Sequence, residues 1–319
     1  MELRGLGNSG LFVSRLGLGT MSWGRDTDIH EARDQFNVYY EAGGRFIDTA
    51  DIYSDGSAEE IVGEFLRDRP DVVVSSKAGS VRNARRRNAS RSHLISALDS
   101  SLKRLRRSHI DIWHVNSWDP YTPLDETLSA MDWAVSTGRV RYAGISNFSG
   151  WQLAAAATTQ ATKPARVVAA QMEYSLVERG IEREVVPAAL HHGTGILAWS
   201  PLGRGVLTGK YRYATPPDSR AASQHLASFV SPYLAERPRA IVDAVCMAAE
   251  GLGMSPIDVS LAWVTARPGV ASAIVGARTA AQLRAIMAGS ESVLPVEIHT
   301  ALDEVSAPER GYPDFGWNQ

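Results

Sequence analysis

Cysteine is almost absent from this chain, since Cys246 is the only one among 319 residues. A single cysteine excludes a disulfide within the chain, and this usage is typical of proteins from a reducing compartment. The first ten residues contain no apolar core of the kind that a secretory signal peptide requires. These features together predict a cytoplasmic protein.

Long apolar runs and an excess of one charge are also lacking. No stretch approaches the roughly 20 apolar residues that a membrane-spanning helix needs. Lysine and arginine number 33 against 35 acidic residues, which gives a net charge of −2. Both observations argue against a membrane or nucleic acid as partner. Basic residues do cluster at 82–87 and 103–107, without the interleaved aromatics of a nucleic-acid site. They indicate a solvated face, with steering of an anionic ligand as the alternative.

The chain does contain a regular alternation of apolar runs and amphipathic segments. Segments with helical spacing, such as the one with Leu94, Leu98 and Leu102, separate runs that suit buried strands. The predicted strands are 15–20, 45–48, 72–77, 110–116, 140–146, 167–173, 195–200 and 273–275. Eight strands alternating with helices, without a break in composition, predict one (β/α)8 TIM barrel over residues 1–319. Additions to it are an N-terminal hairpin at 2–13, a C-terminal helix at 296–306 and an aromatic tail at 311–319. The pattern also predicts a helix at 182–191 and a loop with glycine and proline at roughly 201–232.

Two familiar nucleotide-binding motifs are approached but not completed. Gly17 and Gly19 begin a dinucleotide fingerprint, but Ser22 stands where its third glycine belongs. The Gly209-Lys210 pair would need a glycine at position 204, which is arginine. The sequence therefore has no Walker motif, and it favours the barrel over a doubly wound sheet.

Polar side chains end several predicted strands. Asp48 ends one, Tyr53 follows five residues later, and Lys77 and Asn116 end the next two strands. A barrel gathers the carboxyl ends of its strands at one face, where its active site lies. A tyrosine has a pKa near 10, which a nearby ammonium lowers, while a carboxylate can hold that ammonium in place. These residue types therefore suit proton donation from tyrosine to a carbonyl oxygen.

The chain resembles the aldo-keto reductases, of the long-chain bacterial type, over essentially its whole length. Any one of the shared motifs alone is weak, but they occur in family order and at family spacing. They are Leu16-Gly17-Leu18-Gly19-Thr20, Asp48-Thr49-Ala50 with Tyr53, Ser101-Leu102-Lys103-Arg104-Leu105 with Asp111, Gly144-Ile145-Ser146-Asn147-Phe148-Ser149, Gln171-Met172-Glu173-Tyr174, Trp199-Ser200-Pro201-Leu202, Leu207-Thr208-Gly209-Lys210, and Gly276-Ala277-Arg278 with Gln282-Leu283.

The resemblance implies reduction of small aldehydes or ketones by NADPH, which becomes NADP⁺, with Tyr53 as proton donor. Asp48 and Lys77 would tune Tyr53, and Asn116 would complete the catalytic set. By the same resemblance, Trp23 and Trp118 would border the substrate. The cofactor would be contacted by Thr20, Met21, Ser146, Asn147, Gln171, Trp199, Ser200, Pro201, Leu202, Arg204, Lys210, Gly276, Arg278 and Gln282. Within that set the resemblance implies nicotinamide stacking by Trp199, and 2′-phosphate contacts by Arg278 and Gln282.

The chain departs from the family pattern at three places. Most members carry histidine where this chain has Asn116, and potassium-channel β-subunits look similar here in having asparagine. An asparagine amide can orient a carbonyl but cannot titrate. Ala285 and Ile286 replace a Glu-Asn pair that commonly contacts adenine, and Ser54 replaces a glycine after the tyrosine.

The histidines nearest these motifs suggest no metal site. His114 precedes Asn116 by two residues, so alternation points it to the same side but nearer the barrel centre. The interpretation is an interior histidine rather than a proton donor. His191 and His192 are adjacent and would lie on different helix faces, so no metal is predicted.

Two other functions stay open at this stage. Asn116 is compatible with a cofactor-binding regulatory or docking protein, in which bound NADPH reports the redox state. A barrel with unrelated chemistry, such as a lyase, is the third possibility. The natural substrate and the oligomeric state do not follow from the sequence.

Overall fold

Eight parallel strands form a closed barrel in the computed structural model, which describes residues 1–80, 87–217, 219–224, 226–309 and 311. Two short antiparallel strands, β1 and β2, precede the barrel strands β3–β10, and the barrel closes where β10 pairs with β3. The ten strands are β1 Leu3–Gly5, β2 Phe12–Ser14, β3 Leu16–Gly19, β4 Phe46–Asp48, β5 Val73–Ala78, β6 Ile110–Val115, β7 Val140–Ser146, β8 Val167–Glu173, β9 Gly195–Trp199 and β10 Val270–Val275. The predicted (β/α)8 architecture with an N-terminal hairpin is confirmed.

Helices surround the barrel and connect its strands. They are α1 Ile29–Glu41, α2 Ser57–Phe65, α3 Arg91–Leu105, α4 Leu124–Ser136, α5 Gly150–Thr159, α6 Val185–His192, α7 Ala227–Val230, α8 Glu236–Leu252, α9 Pro256–Thr265, α10 Ala280–Ala288 and α11 Val296–Ser306. Local sequence sets several of their starts. The Asp28 carboxylate accepts the backbone N–H groups of His30 and Glu31 at the start of α1, and Ser255 and Asp258 form a capping box at α9.

The apolar core has two parts. The larger lies between the barrel and its helices, and the smaller fills the barrel interior with side chains such as Phe46, Ile112 and Leu197. Leu6 and Val13 from the N-terminal hairpin join the inner cluster, so the hairpin covers the amino-terminal end of the barrel. Parallel strands covered on both faces need continuous apolar runs, which is the pattern that the sequence showed.

Three boundaries differ from the sequence prediction. Strand β10 begins at Val270, three residues before the predicted start, because small residues at 270–273 weaken the apolar signal. Helix α6 begins at Val185 after a short 3₁₀ turn at Gly180–Glu182. The predicted loop at 201–232 contains 3₁₀ turns at Gly203–Thr208 and Arg220–Ala222 and the short helix α7. Residues 81–86 of the basic run and 312–319 of the aromatic tail lie outside the described residues.

No single helix among the described residues is long and apolar enough to cross a membrane. Helices α8 and α9 reach that length and composition only when taken together, and they are bent by 104° at the break between them.

Candidate active site

One cavity of about 450 Å³ gathers the predicted catalytic and cofactor-contacting residues. It is lined by residues at the carboxyl ends of barrel strands and in the segments that follow them. Asp48, Lys77 and Asn116 come from the ends of β4, β5 and β6, which are consecutive in the barrel. All the residues that the sequence assigned to catalysis and to the cofactor line this cavity. Parallel strands that end at one face explain why such distant positions converge.

A buried ion pair joins Asp48 to Lys77. Both residues are 2% exposed, and Lys77 Nζ donates to Asp48 Oδ2 at 2.6 Å and to the Thr49 carbonyl at 2.7 Å. Asp48 Oδ1 accepts from Ser75 Oγ at 2.8 Å and from Gln171 Nε2 at 2.7 Å. Burial of an ion pair is tolerated only when further hydrogen bonds satisfy its remaining atoms, and here they do.

Tyr53 lies beside this ion pair, with Lys77 Nζ 5.1 Å from the centre of its ring. Burial raises the pKa of the Tyr53 phenol above its ordinary value, and the Lys77 ammonium opposes that rise. Burial alone would lower the pKa of Lys77, but the Asp48 carboxylate reverses this and the net pKa is raised. The sequence predicted that Lys77 would lower the pKa of Tyr53, but the effect of burial on this pKa is larger than that of the ammonium. The pair therefore presents a protonated phenol next to a permanent cation.

The turn that carries Tyr53 has an unusual backbone. Ser54, Asp55 and Gly56 have φ values of 49°, 57° and 91°, a left-handed run that is costly for residues other than glycine. A Cβ on Gly56 would lie 2.7 Å from Cδ of Arg104, so the arginine packs directly against this turn. Ser54, one of the departures from the family pattern noted above, thus has a backbone conformation that favours glycine.

Asn116 belongs to a row of polar groups along one wall of the cavity. Its side-chain amide donates a short hydrogen bond to Ser80 Oγ, and its backbone carbonyl accepts from Asn147 Nδ2 at 3.0 Å. Asn147 Oδ1 in turn accepts from Trp199 Nε1 at 3.1 Å. These bonds fix the edge of the indole beside Asn147 and connect the carboxyl ends of β6, β7 and β9.

Several cations line a second part of the cavity. Lys210, Arg220 and Arg278 all border it, and Gln282 Oε1 accepts the backbone N–H of Arg278 at 3.0 Å. Burial lowers the pKa of Arg220 from its ordinary value, and the nearby Arg278 guanidinium lowers it further. Two guanidiniums at one part of the cavity create a positive potential that favours binding of an anionic group.

Arg204 also borders the cavity, but its guanidinium is committed to protein partners. It forms an ion pair with Glu173 at 2.6 Å and donates to the Phe229 carbonyl at 2.5 Å. Its guanidinium carbon lies 3.9 Å from the centre of the Phe229 ring. Arg204 therefore helps to fix the cavity wall, and its predicted contact with the cofactor stays a prediction.

Trp23 and Trp118, which the resemblance places at the border of the substrate, are not among the described residues that line this cavity. Trp23 is fully buried and its Nε1 donates to Gln35 Oε1 at 3.0 Å. Trp118 packs edge-on against Phe148 and Trp151, at ring-centre distances of 5.4 and 5.1 Å. Position along the chain placed both tryptophans near strand ends, but the direction of each side chain depends on packing partners that the sequence does not reveal.

Sequence reasoning missed part of the lining. The additional residues include two departures already noted and several from segments without a motif. They are Gly19, Ser22, Gly205, Thr208, Arg220, Phe229, Ile257, Ile274, Val275, Ala277, Ala285 and Ile286. Most adjoin a predicted residue, and adjacency could have indicated them. Arg220 and Phe229 had no such signal, since they lie in the 201–232 segment that was predicted only as a loop.

None of the histidines that the structure describes lines this cavity. His114 is fully buried, and the rings of His191 and His192 contact each other edge-on at 4.9 Å. Within the described residues no group of three or more His, Cys, Asp or Glu side chains could hold a metal ion.

Comparison with known proteins gives the cavity a family context. A chain from Oryza sativa subsp. japonica, described as a probable voltage-gated potassium channel subunit beta, is 34% identical and covers 98% of both chains. A similarly described chain from Arabidopsis thaliana is 32% identical over 96% of this chain and 95% of its own length. The uncharacterized oxidoreductase YrpG of Bacillus subtilis (strain 168) is 35% identical over 96% of each chain. A sequence profile described as the aldo/keto reductase family matches residues 15–307, so this chain belongs to the aldo/keto reductase family of oxidoreductases.

Proposed function

We propose that this protein is an NADPH-dependent carbonyl reductase that converts small aldehydes or ketones to alcohols, with Tyr53 as the general acid. The observation that carries the proposal is the buried Asp48–Lys77 ion pair beside Tyr53 in the cavity of about 450 Å³. Ion pairs that perturb a neighbouring titratable group inside a cleft are typical of catalytic sites.

The residues of the cavity suit this cofactor. Arg220 and Arg278 bring two guanidiniums to the lining, which suits phosphate groups. The amide side chains of Asn147 and Gln171 also line the cavity, and their hydrogen bonds within the protein hold them in place beside a carboxamide. Trp199 supplies an aromatic face, since its ring is held at the edge by Asn147. Ala285 and Ile286 present only apolar surface, which suits contact with a base by packing alone. Bound NADPH would supply a hydride to the carbonyl carbon.

Proton transfer follows from the ion pair. The raised pKa of Tyr53 keeps the phenol protonated near neutral pH, so its O–H is available to the carbonyl oxygen. The phenolate that remains is stabilised by the Lys77 ammonium, which Asp48 keeps charged. Water then returns a proton to Tyr53. Asn116 would orient the carbonyl oxygen through its amide.

An assay of NADPH absorbance with a panel of small aldehydes and ketones tests this function. Tyr53→Phe removes the proton donor and is expected to lower kcat by about 10²–10⁴-fold, with NADPH still bound. Tyr121→Phe is the matched control, because Tyr121 is 79% exposed outside the cavity. Equal turnover by the wild type and Tyr53→Phe would contradict the assignment.

A regulatory role is the second candidate, and Asn116 is the observation that favours it. The amide of Asn116 cannot titrate, so it cannot take part in proton transfer. Two similar chains are described as probable voltage-gated potassium channel β-subunits. Tight NADPH binding with slow single-turnover oxidation would support this role. Fast steady-state turnover with any carbonyl would exclude it.

A further inference from the structure

His114 is an unusual residue for its position in the barrel. It lies in β6, whose neighbouring positions are apolar, and it is fully buried. It is paired in register with Lys77 of β5 and Gly144 of β7. A polar side chain at such a place needs a hydrogen-bonding reason.

Ser75 connects this histidine to the proposed catalytic carboxylate. Ser75 Oγ donates to Asp48 Oδ1 at 2.8 Å, and it lies 3.3 Å from His114 Nδ1. The serine hydroxyl has one proton, and the carboxylate can only accept, so that proton goes to Asp48. On this assignment His114 Nδ1 carries the ring proton and faces Ser75 Oγ, while the ring also interacts with the backbone of Ser76.

The other side of the ring is fixed by close packing. A Cβ on Gly144 would lie 2.4 Å from Cδ2 and 2.6 Å from Nε2 of His114, so only glycine leaves room for the ring. Nε2 has no hydrogen-bond partner, which fits a neutral ring with its proton on Nδ1. The pKa of His114 is lowered to about 4, mainly by burial and in smaller part by the Lys77 ammonium. The imidazole is therefore neutral at physiological pH.

We propose that His114 is a positioning residue, which fixes Asp48 through Ser75 and thereby holds Lys77 beside Tyr53. The proposal rests on the proposed function of Tyr53. With His114 donating to Ser75, the serine hydroxyl is locked toward Asp48 Oδ1. Gln171 Nε2 donates to the same oxygen, so the other carboxylate oxygen, Asp48 Oδ2, accepts from Lys77 Nζ. Hydrogen bonds in series polarise one another, which strengthens each bond of the series. The histidine thus acts on the proton donor without touching it.

Two substitutions separate this role from simple packing. His114→Leu keeps much of the volume but removes the donor. In His114→Asn the amide nitrogen can take the place of Nδ1, so the donor is kept while the titrating ring is lost. His93→Leu is the matched control, since His93 lies on α3 outside the barrel.

Steady-state kinetics of the full chain with NADPH and a reducible aldehyde provide the first readout. We expect His114→Leu to lower kcat about 3- to 10-fold with KM within about twofold, and to move the basic limb of the pH profile upward. His114→Asn should restore most of the rate. Ser75→Ala should resemble His114→Leu, and the double variant should lose little more, because residues in one chain of hydrogen bonds are not additive. Unchanged kinetics in His114→Leu, or full additivity in the double variant, would overturn the proposal.

The second readout does not depend on turnover. Tyrosinate absorbance, taken as the difference between each protein and its Tyr53→Phe counterpart, reports the pKa of Tyr53. We expect a higher pKa of Tyr53 in His114→Leu and Ser75→Ala than in the wild type. An unchanged pKa in both variants would overturn the positioning role. A shifted pKa in a protein that reduces no carbonyl would support the positioning role while excluding the proposed function. If His114→Leu fails to fold, Ser75→Ala and His114→Asn still decide the matter.

Discussion

Arg204 and Glu173 meet through two parallel hydrogen bonds, from Nε at 2.7 Å and from Nη2 at 2.6 Å. Bidentate pairing of this kind is among the stronger arrangements of arginine and carboxylate. It fastens the Gly203–Thr208 turn to the end of β8, and the Phe229 carbonyl adds a third contact. The position of the Gly203–Thr208 turn in the cavity wall is therefore held mainly by the contacts of Arg204.

Neutralising Glu173 should loosen that wall. In Glu173→Gln the guanidinium loses its charged partner, and we expect a loss of about 1–3 kcal/mol in the free energy of unfolding. Hydrogen exchange should become faster in Gly203–Thr208 and α7. Glu64→Gln is the control, because its ion pair with Arg33 lies at the surface and should contribute under about 1 kcal/mol. Equal stability losses in the two variants would contradict a special role for the Arg204 contact.

Cofactor choice should depend on the guanidiniums near α10. Arg278→Ala is expected to weaken NADPH binding by about 10- to 100-fold, since a hydrogen bond to a charged group contributes about 1.5–3 kcal/mol. Binding of NADH, which lacks the 2′-phosphate, should change far less. Fluorescence titration with both nucleotides measures the two effects, and Arg220→Ala tests whether the neighbouring guanidinium shares the task. Equal losses for NADPH and NADH would mean that Arg278 does not meet the 2′-phosphate.

The stability of the fold should respond to the titration of Asp51. The pKa of Asp51 is raised to about 7, mainly by burial and in smaller part by the neighbouring Glu59 carboxylate. One oxygen of Asp51 has no hydrogen-bond partner. Because the pKa is higher in the folded state, this group contributes stability below pH 4 that is lost as pH rises toward 7.

Asp51→Asn removes that titration. We expect the variant to match the wild type near pH 4 and to exceed its unfolding free energy by about 1–2 kcal/mol above pH 7, which allows for partial solvent screening. Urea denaturation across this pH range measures the difference. A gap that is constant with pH, or larger at acid pH, would contradict the raised pKa.

The packing of His114 against Gly144 gives a sharper stability test. A methyl group at position 144 would overlap the imidazole, and overpacking of a core typically costs about 1–3 kcal/mol. Gly144→Ala should therefore lower the melting temperature clearly. Gly5→Ala is the control, because nothing lies within 4 Å of its added Cβ. A much smaller loss for Gly144→Ala in a His114→Ser background would show that the clash is with the imidazole.

The sequence predicted the strands of the barrel well where apolar runs were long and ended in a polar residue. Strands β4 to β9 appear within a residue or two of the expected bounds. The prediction for strand β10 was too short because Ala271 and Ser272 are small. The helical turns of the 201–232 segment were not predicted because its sequence lacks helical periodicity. Local pattern finds elements when burial repeats regularly, and it fails where tertiary contacts compensate for weak propensity.

The family motifs predicted catalytic and cofactor-contacting positions that the structure gathers around one cavity, since most of these motifs stand at the end of a strand. They could not give the direction of Trp23, which turns into the core toward Gln35. They assigned Arg204 to the cofactor but could not show that its guanidinium also pairs with Glu173. Side-chain partners from distant segments decide these cases.

The sequence by itself determined that polar residues end the barrel strands, because alternation and chain order fix which residues reach the carboxyl face of a parallel barrel. Asp48, Tyr53 and Lys77 were identifiable on that basis. Only the tertiary structure decided the balance of their charges. Burial raises the pKa of Tyr53 against the pull of Lys77, and Ser75 joins Asp48 to a histidine two positions before the expected one. Desolvation and hydrogen-bond geometry depend on neighbours from several strands at once, and no single stretch of sequence contains them.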